Sequence, residues 1–232
     1  IVTPVGDNYL VPELLRILNE IKEAFATARY LFFLSQRESS TLNDISKMTL
    51  YFDNLDYGVN GLYTGLCKTA YIRAFDILDK VARIVNVYFG IGKRKDYFWT
   101  IFAEKQSHGE DHDEWFAARP AIVATNNLFL FALADICIDY FDREQVDLTT
   151  IDARRNKITH DYLSVQLFHL ADDADEAVSL DDVVKQTREV LQLAKHAVLY
   201  AVSAVNLAEA QKEPGGKVGY ISYDHNPGHP FL

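Results

Sequence analysis

The chain of 232 residues contains little cysteine, proline, glycine or methionine, and it has no excess of positive charge. Its two cysteines, Cys67 and Cys137, stand far apart in apolar helical settings, so we predict two buried core residues rather than a disulfide or a metal pair. Many of its six prolines and eleven glycines fall near residues 1–12, 90–92 and 214–230. The long stretches without proline or glycine favour helices over a many-stranded sheet.

Acidic residues outnumber basic ones by 33 to 23, which gives a net charge of −10. This balance excludes a general nucleic-acid-coating role, because non-specific binding needs a field of Lys and Arg facing the phosphates. An acidic protein of this kind binds RNA only through a local basic site.

Signals for a membrane or secreted protein are lacking as well. No signal peptide opens the chain, and the most apolar stretch, residues 121–138, is interrupted by polar side chains, so we predict no membrane-spanning segment and a cytoplasmic location. The chain begins with Ile1, and Met48 is its only methionine. Such a start is typical of a fragment or processed product of a longer protein.

Apolar residues repeat at helical spacing in five long segments. We predict helices over about residues 12–36, 59–89, 126–141, 149–170 and 180–212. The third is apolar on nearly every side and is expected to be central. The fifth opens with a capping box, Ser179 and Asp182, and carries a seam of mostly small residues suited to close packing, which runs from Val183 to Ala208. Short links between the helices predict an all-α antiparallel bundle of about five main helices.

Three regions lie outside this pattern. Residues 38–57 are polar and mixed, which indicates a connection with one short helical turn. Residues 90–120 form an insertion in a bundle of residues 1–212, and residues 213–232 form an irregular tail rich in Gly, Pro and Tyr. The insertion opens with a basic run that we predict helps to hold RNA, formed by Lys93, Arg94 and Lys95.

The stretch that carries chemistry runs from Asp152 to Tyr162 and contains Arg155, Asn156 and His160. Arginine is a permanent cation whose fork of donors matches phosphate oxygens. Histidine titrates near neutrality, so it can take a proton from one group and return one to another. Together they suffice for metal-free RNA cleavage, in which a base deprotonates the ribose 2′-hydroxyl, that oxygen attacks the phosphate, and a cation stabilises the added charge.

The motif Arg155-Asn156-x-x-x-His160 resembles the R-x4-6-H signature of the HEPN superfamily. Extended to Tyr162, it is similar to the R-x4-H-x-Y form of HEPN toxins paired with nucleotidyltransferase antitoxins. The resemblance covers residues 10–212. It implies a helical bundle, no cofactor, and a metal-independent endoribonuclease that dimerises so that two copies of the motif form one composite site. It also implies a bacterial toxin–antitoxin, defence or stress setting, with an antitoxin or a fused regulatory domain as further partner.

The resemblance gives each residue a role. Arg155 would bind and stabilise the scissile phosphate, His160 would act as general acid and base, and Asn156 would position one of them. Arg154 would support the site, and Lys157 would contact RNA. Asp152 would orient the site or favour the helix N-terminus, and for Tyr162 core packing is expected rather than a modification role.

Helix geometry separates the key residues. At about 100° per residue, Arg155 and His160 diverge by about 140° on a straight helix. Three routes can bring them together: a local bend, the long reach of arginine, or the motif of a partner copy. We predict that the same helix is apolar on two sides, with Ile158 and Val165 on one and Leu163 and Leu167 on the other, which would place His160 near a dimer interface.

Two rival functions follow from other features. The negative charge and the start at Ile1 favour a non-catalytic HEPN-like module, acting as a dimeric adaptor or nucleotide sensor in a larger protein. The acidic and histidine-rich residues 108–114 suggest a metal-dependent hydrolase, although H-E-x-x-H is absent and a solvated acidic loop is the favoured interpretation. We therefore predict no metal ligands.

Overall fold

The apolar spacing of the sequence is realised as a helical bundle in the computed structural model. The structure describes residues 13–51, 58–92, 97–108, 113–141, 148–160, 163–167 and 177–212. Its helices are α1 (Glu13–Ser35), α2 (Ser40–Met48), α3 (Leu62–Phe89), α4 (Phe98–Phe102), α5 (Pro120–Val123), α6 (Leu128–Phe141), α7 (Leu148–His160) and α8 (Leu180–Ala210). Its short strands are β1 (Ala103–His108), β2 (Asp113–Ala118), β3 (Ser164–Gln166) and β4 (Ala177–Ser179). The predicted all-α class is confirmed.

Helix α3 is the centre of the bundle. Twelve of its 28 residues are buried, and α1, α8, α4 and α7 all pack against it. We predicted that α6 would be central, and this was wrong. Helix α6 is apolar all round but has only 14 residues, and it packs mainly on α8, α4 and the hairpin of β1 and β2 while leaving Leu128 69% exposed.

Polar contacts set the direction of the two helices that flank α3. Arg83 of α3 pairs with Glu13 at 2.7 Å and Lys80 with Glu20 at 3.0 Å, so α1 runs antiparallel to α3. The Sγ atom of Cys67 lies 3.4 Å from Oγ1 of Thr187 at one end of the bundle. Tyr88 bonds Glu209 at the other end, so α8 runs parallel to α3.

Both cysteines are buried free thiols, as predicted. Burial raises the pKa of the Cys67 thiol and raises that of Cys137 further. The two groups therefore stay protonated and apolar at neutral pH, as core residues should.

Helix α8 begins and packs as its sequence predicts. The Asp182 backbone N–H donates to Ser179 Oγ at 3.0 Å, and this hydroxyl lies 2.7 Å from the Asp182 carboxylate. The predicted seam is buried from Val183 to Ala204, and only its last member, Ala208, is half-buried. In the described ranges, α8 alone is long and apolar enough to cross a membrane by length and composition. Its seam packs against α3 and α6 instead.

The N-cap of α8 gives a first testable prediction. We expect Ser179→Ala to lower the free energy of unfolding by about 1 kcal/mol, because the substitution removes the hydroxyl that caps the first turn. Urea unfolding followed by circular dichroism measures the change. Ser203→Ala, in the interior of the same helix, should leave the stability unchanged or slightly higher because alanine is the better helix former. An equal loss in both variants would contradict the capping role.

The fourth helix is shorter than predicted. We expected it to continue to Leu170, but α7 ends at His160 and the chain then forms β3. Strand β3 pairs in parallel with β4, and the Val59 N–H donates to the Val165 carbonyl at 2.6 Å. Backbone pairing on both sides thus replaces the helix, and Val165 is buried in a small second cluster with Cys67 and Val183.

Because α7 ends at His160, the two apolar faces predicted for the motif helix do not lie on one helix. Leu163 and Val165 are buried in the second cluster, and Leu167 is 57% exposed, but none of them belongs to α7. Leu163 and Leu167 therefore do not form an apolar face beside His160 on one continuous helix.

The two connections are more structured than predicted. Residues 38–57 contain the nine-residue helix α2 rather than a single turn. The Tyr63 hydroxyl holds it to α3, because it accepts from the Ser39 N–H at 3.0 Å and donates to Asn43 Oδ1 at 2.8 Å. The region 90–120 holds α4 and the antiparallel hairpin of β1 and β2, with Phe98 and Phe102 fully buried. The tail, residues 213–232, lies outside the described residues.

Candidate functional site

Helix α7 carries the candidate site and packs against α3 and α6. Its rotation is fixed by Ile158, which is half-buried and contacts both hydrophobic clusters. Arg155, almost one turn earlier, is directed at α3 on the same side. Asn156 and His160 are exposed. The helix therefore separates the arginine of the motif from the other two residues, as its 3.6-residue period predicts.

Three groups of α3 hold the Arg155 side chain. Its guanidinium carbon lies 4.8 Å from the centre of the buried Phe75 ring. Its Nη2 atom lies 3.7 Å from Asp79 Oδ2 and 3.9 Å from Asp76 Oδ1. A cation over an aromatic face is attracted by the ring quadrupole, so stacking and charge act together. Arg155 keeps 29% of its side-chain surface exposed.

The two carboxylates neutralise Arg155 without using its hydrogen-bond donors. Distances of 3.7 and 3.9 Å are ion-pair distances and exceed those of N–H···O hydrogen bonds. The other oxygen of Asp79 accepts from the Phe98 N–H at 3.1 Å, so Asp79 links α3, α4 and α7. One guanidinium between two carboxylates leaves a local charge of about −1, and the guanidinium donors still match a phosphate oxygen.

Asn156 and His160 form the exposed part of the motif. They are four residues apart, so their side chains are neighbours on one helix face, about 5–6 Å apart at Cβ. Neither side chain has a polar partner in the described ranges. The Thr159 hydroxyl, which lies between them in sequence, is turned back to the Arg155 carbonyl at 2.8 Å. A single ligand can therefore contact the Asn156 amide and the His160 imidazole together.

The chain that follows His160 is anchored to α3. Lys68 Nζ donates to the Leu163 carbonyl at 2.9 Å. Burial lowers the pKa of Lys68, since a desolvated ammonium loses hydration. This contact, together with strand β3, fixes the exit of the chain from the candidate site.

The remaining predicted residues are placed as follows. Arg154 is half-buried, and its Nη1 atom lies 3.5 Å from the Asp182 carbonyl at the start of α8. Lys157 is half-buried on α7. Asp152 belongs to α7, although its side chain is not described, and Tyr162 lies outside the described residues, as do Lys93, Arg94 and Lys95.

The acidic and histidine-rich segment is described only at its ends. His108 ends β1 and pairs in register with Asp113, the first residue of β2. Residues 109–112 lie outside the described ranges. Within those ranges, no three His, Cys, Asp or Glu residues form a group that could hold a metal ion.

Sequence reasoning missed the partners of Arg155. Phe75, Asp76 and Asp79 belong to α3, far from the motif in sequence. One signal was present: Asp76 and Asp79, three residues apart, interrupt the apolar pattern of the long helix α3. Carboxylates beside a helix core need a compensating charge, and such a pair indicates that a cation packs there.

The bundle and the Arg-Asn-x-x-x-His motif on a helix packed against its centre together define a HEPN domain. The comparison with protein families agrees, because the LA2681-like HEPN model matches residues 6–208. The chain therefore belongs to the LA2681-like HEPN family. HEPN domains are commonly ribonucleases or nucleotide-sensing modules, and they typically dimerise. No curated protein and no solved structure matches the chain.

Proposed function

We propose that this HEPN domain is a metal-independent endoribonuclease of a bacterial toxin, defence or stress system, acting in the cytoplasm. The observation that carries the proposal is the exposed pair of Asn156 and His160 on α7, inside the motif and free to meet a substrate. His160 moves the protons, Arg155 stabilises the phosphate and Asn156 positions the reacting groups.

The reaction needs neither a metal nor water in its first step. A neutral imidazole takes the proton of the ribose 2′-hydroxyl, and the 2′-oxygen attacks the adjacent phosphorus. The bond from phosphorus to the 5′-oxygen breaks, and an imidazolium returns a proton to that oxygen. The products are a 2′,3′-cyclic phosphate and a 5′-hydroxyl. The guanidinium stabilises the extra negative charge of the pentacoordinate state.

The geometry of Arg155 supports a site shared between two copies of the chain. Phe75 and Asp79 hold the guanidinium against α3, whereas His160 is exposed on another side of α7. Of the three routes by which the two groups can meet, this favours the partner copy. In a symmetric dimer each contact occurs twice, so Arg155 of one copy would serve the His160 of the other.

Cleavage without metal tests the function directly. We expect the purified native chain to cut mixed cellular RNA in EDTA and to leave 2′,3′-cyclic phosphate and 5′-hydroxyl ends, because the site supplies base, acid and cation from side chains. End-specific ligation followed by sequencing identifies the ends. Cleavage that requires a divalent ion, or that leaves 3′-hydroxyl ends, would contradict this mechanism.

A second candidate function is a non-catalytic HEPN-like adaptor or nucleotide sensor, and one observation favours it. Arg155 is already compensated by Asp76 and Asp79, as in a structural ion pair. An adaptor of this type would dimerise in solution but show no turnover on any RNA, with or without an antitoxin or a fused regulatory domain. A catalyst would instead show a limb near neutral pH, where histidines titrate.

A further inference from the structure

A groove of about 480 Å³ lies between α1 and α8, on helices other than the one that carries the motif. Helix α1 contributes Phe25, Phe32 and Phe33, spaced so that they share one side of the helix. The cations around it are Arg29, Arg188 and Lys195. Its volume falls in the range of ligand-binding clefts.

The groove is positively charged in an acidic protein. No carboxylate is among its lining residues, although the chain carries a net charge of −10. In the part of the chain that the structure describes, Arg29, Arg188 and Lys195 have no ion-pair partner. Three uncompensated cations around one concave surface attract an anionic ligand.

The cations are spread along the groove. Arg188 and Lys195 are seven residues apart on α8, which separates them by about 10 Å along the helix axis. Arg29 faces them from α1. The backbone of a polynucleotide suits charges distributed over this length, because it places one phosphate after another along such a path.

The apolar part of the groove suits nucleobases. Phe33 is 50% exposed and has the Arg37 guanidinium carbon 5.5 Å from its ring centre, while Leu191 is buried beneath the groove. The amides of Gln36 and Gln192 also line the groove, and each can donate to and accept from a base edge. Aromatic platforms beside a cationic track are the combination by which proteins bind single strands without reading their sequence.

We propose that the groove between α1 and α8 binds a short stretch of single-stranded RNA, with its phosphates at Arg29, Arg188 and Lys195 and a base stacked on Phe33. The choice of RNA rests on the proposed function. The groove lies on α1 and α8 and not on the helix of the motif, so it would add affinity for the substrate strand without taking part in bond cleavage.

Binding of a non-cleavable oligonucleotide tests this without relying on catalysis. The probe is a fluorescein-labelled 12-mer of 2′-O-methyl RNA, followed by anisotropy over a series of salt concentrations. We expect Arg188→Glu/Lys195→Glu to weaken binding by at least about tenfold and to reduce the salt slope by about 2, one for each lost phosphate contact. Phe33→Ala should weaken it by about tenfold through lost stacking.

The matched control is Arg16→Glu/Arg73→Glu, which makes the same change in net charge at two exposed arginines outside the groove. It should retain nearly native affinity. Circular dichroism should show native helicity for every variant, because the substituted side chains are exposed.

Four results would overturn the inference: no binding by the native chain, equal loss in both double variants, equal affinity for a duplex, or full displacement of the 12-mer by equimolar ATP. The last would assign the groove to a mononucleotide. Because the probe cannot be cleaved, the two proposals can fail separately. Binding of the probe with no ribonuclease activity on RNA would uphold the groove and reject the proposed function. Ribonuclease activity with no loss of probe binding in the groove variants would uphold the proposed function and reject the groove.

Discussion

Replacement of His160 by alanine should reduce RNA cleavage by about 10²–10⁴-fold, the contribution typical of a general acid or base. The side chain is exposed and has no polar partner in the described ranges, so its removal should leave the free energy of unfolding unchanged. Initial rates on a fluorogenic RNA in EDTA give the catalytic effect, and urea unfolding gives the structural one.

His196→Ala is the matched control for this prediction. His196 is an exposed histidine on α8, and its loss removes the same imidazole without touching the motif. We expect the control to cleave at the native rate. Full activity in the His160 variant would reject the proposed mechanism, and an equal loss in both variants would show that the effect does not come from the motif.

Mixing two inactive variants should restore activity. If Arg155 of one copy serves His160 of the other, a heterodimer of Arg155→Ala and His160→Ala contains one intact site and one doubly defective site. Random exchange of subunits makes half of the dimers heterodimers, so the mixture should recover about a quarter of native activity from two components that have almost none. The measurement is cleavage after co-refolding or co-expression of the two chains.

The Arg155 substitution should also affect stability, and this needs its own control. Loss of the cation over Phe75 should lower the free energy of unfolding by about 1 kcal/mol, with little added by the partly exposed ion pairs. Arg119→Ala removes another partly buried arginine, which pairs with Glu104 at 3.5 Å, and it should destabilise the chain without changing cleavage. No recovery in the mixed variants would place the site within a single chain.

The sequence predicts most of the fold because helix periodicity is a local property. The stripes of α1, α3 and α8 and the cap at Ser179 depend on neighbours within one or two turns, and the structure confirms them. The end of α7 was missed because pairing of Val165 with Val59 joins segments about a hundred residues apart. Helix propensity depends on neighbouring residues only, so it does not indicate a partner that is distant in sequence.

The sequence likewise predicts only those features of the candidate site that are local to α7. Which residues of α7 share a face follows from residue spacing, so the separation of Arg155 from His160 could be predicted. The contacts of Arg155 with Phe75, Asp76 and Asp79 depend on how α7 packs on α3, and spacing within one helix does not determine that. The groove between α1 and α8 was missed for the same reason, since each helix alone carries only part of its lining.

Asp79 should influence which anions Arg155 binds, because both of its carboxylate oxygens are engaged. Because one of its oxygens is held by the Phe98 N–H and the other faces Arg155, this carboxylate is a counter-ion that the fold itself holds beside the guanidinium. Chloride, or a lone phosphate, has to compete with it and with Asp76 for one guanidinium. Under the proposed function, a strand that brings several phosphates and is held elsewhere as well would overcome that competition, so the arginine would be shielded from the small anions of the cell and would remain available to a polymer.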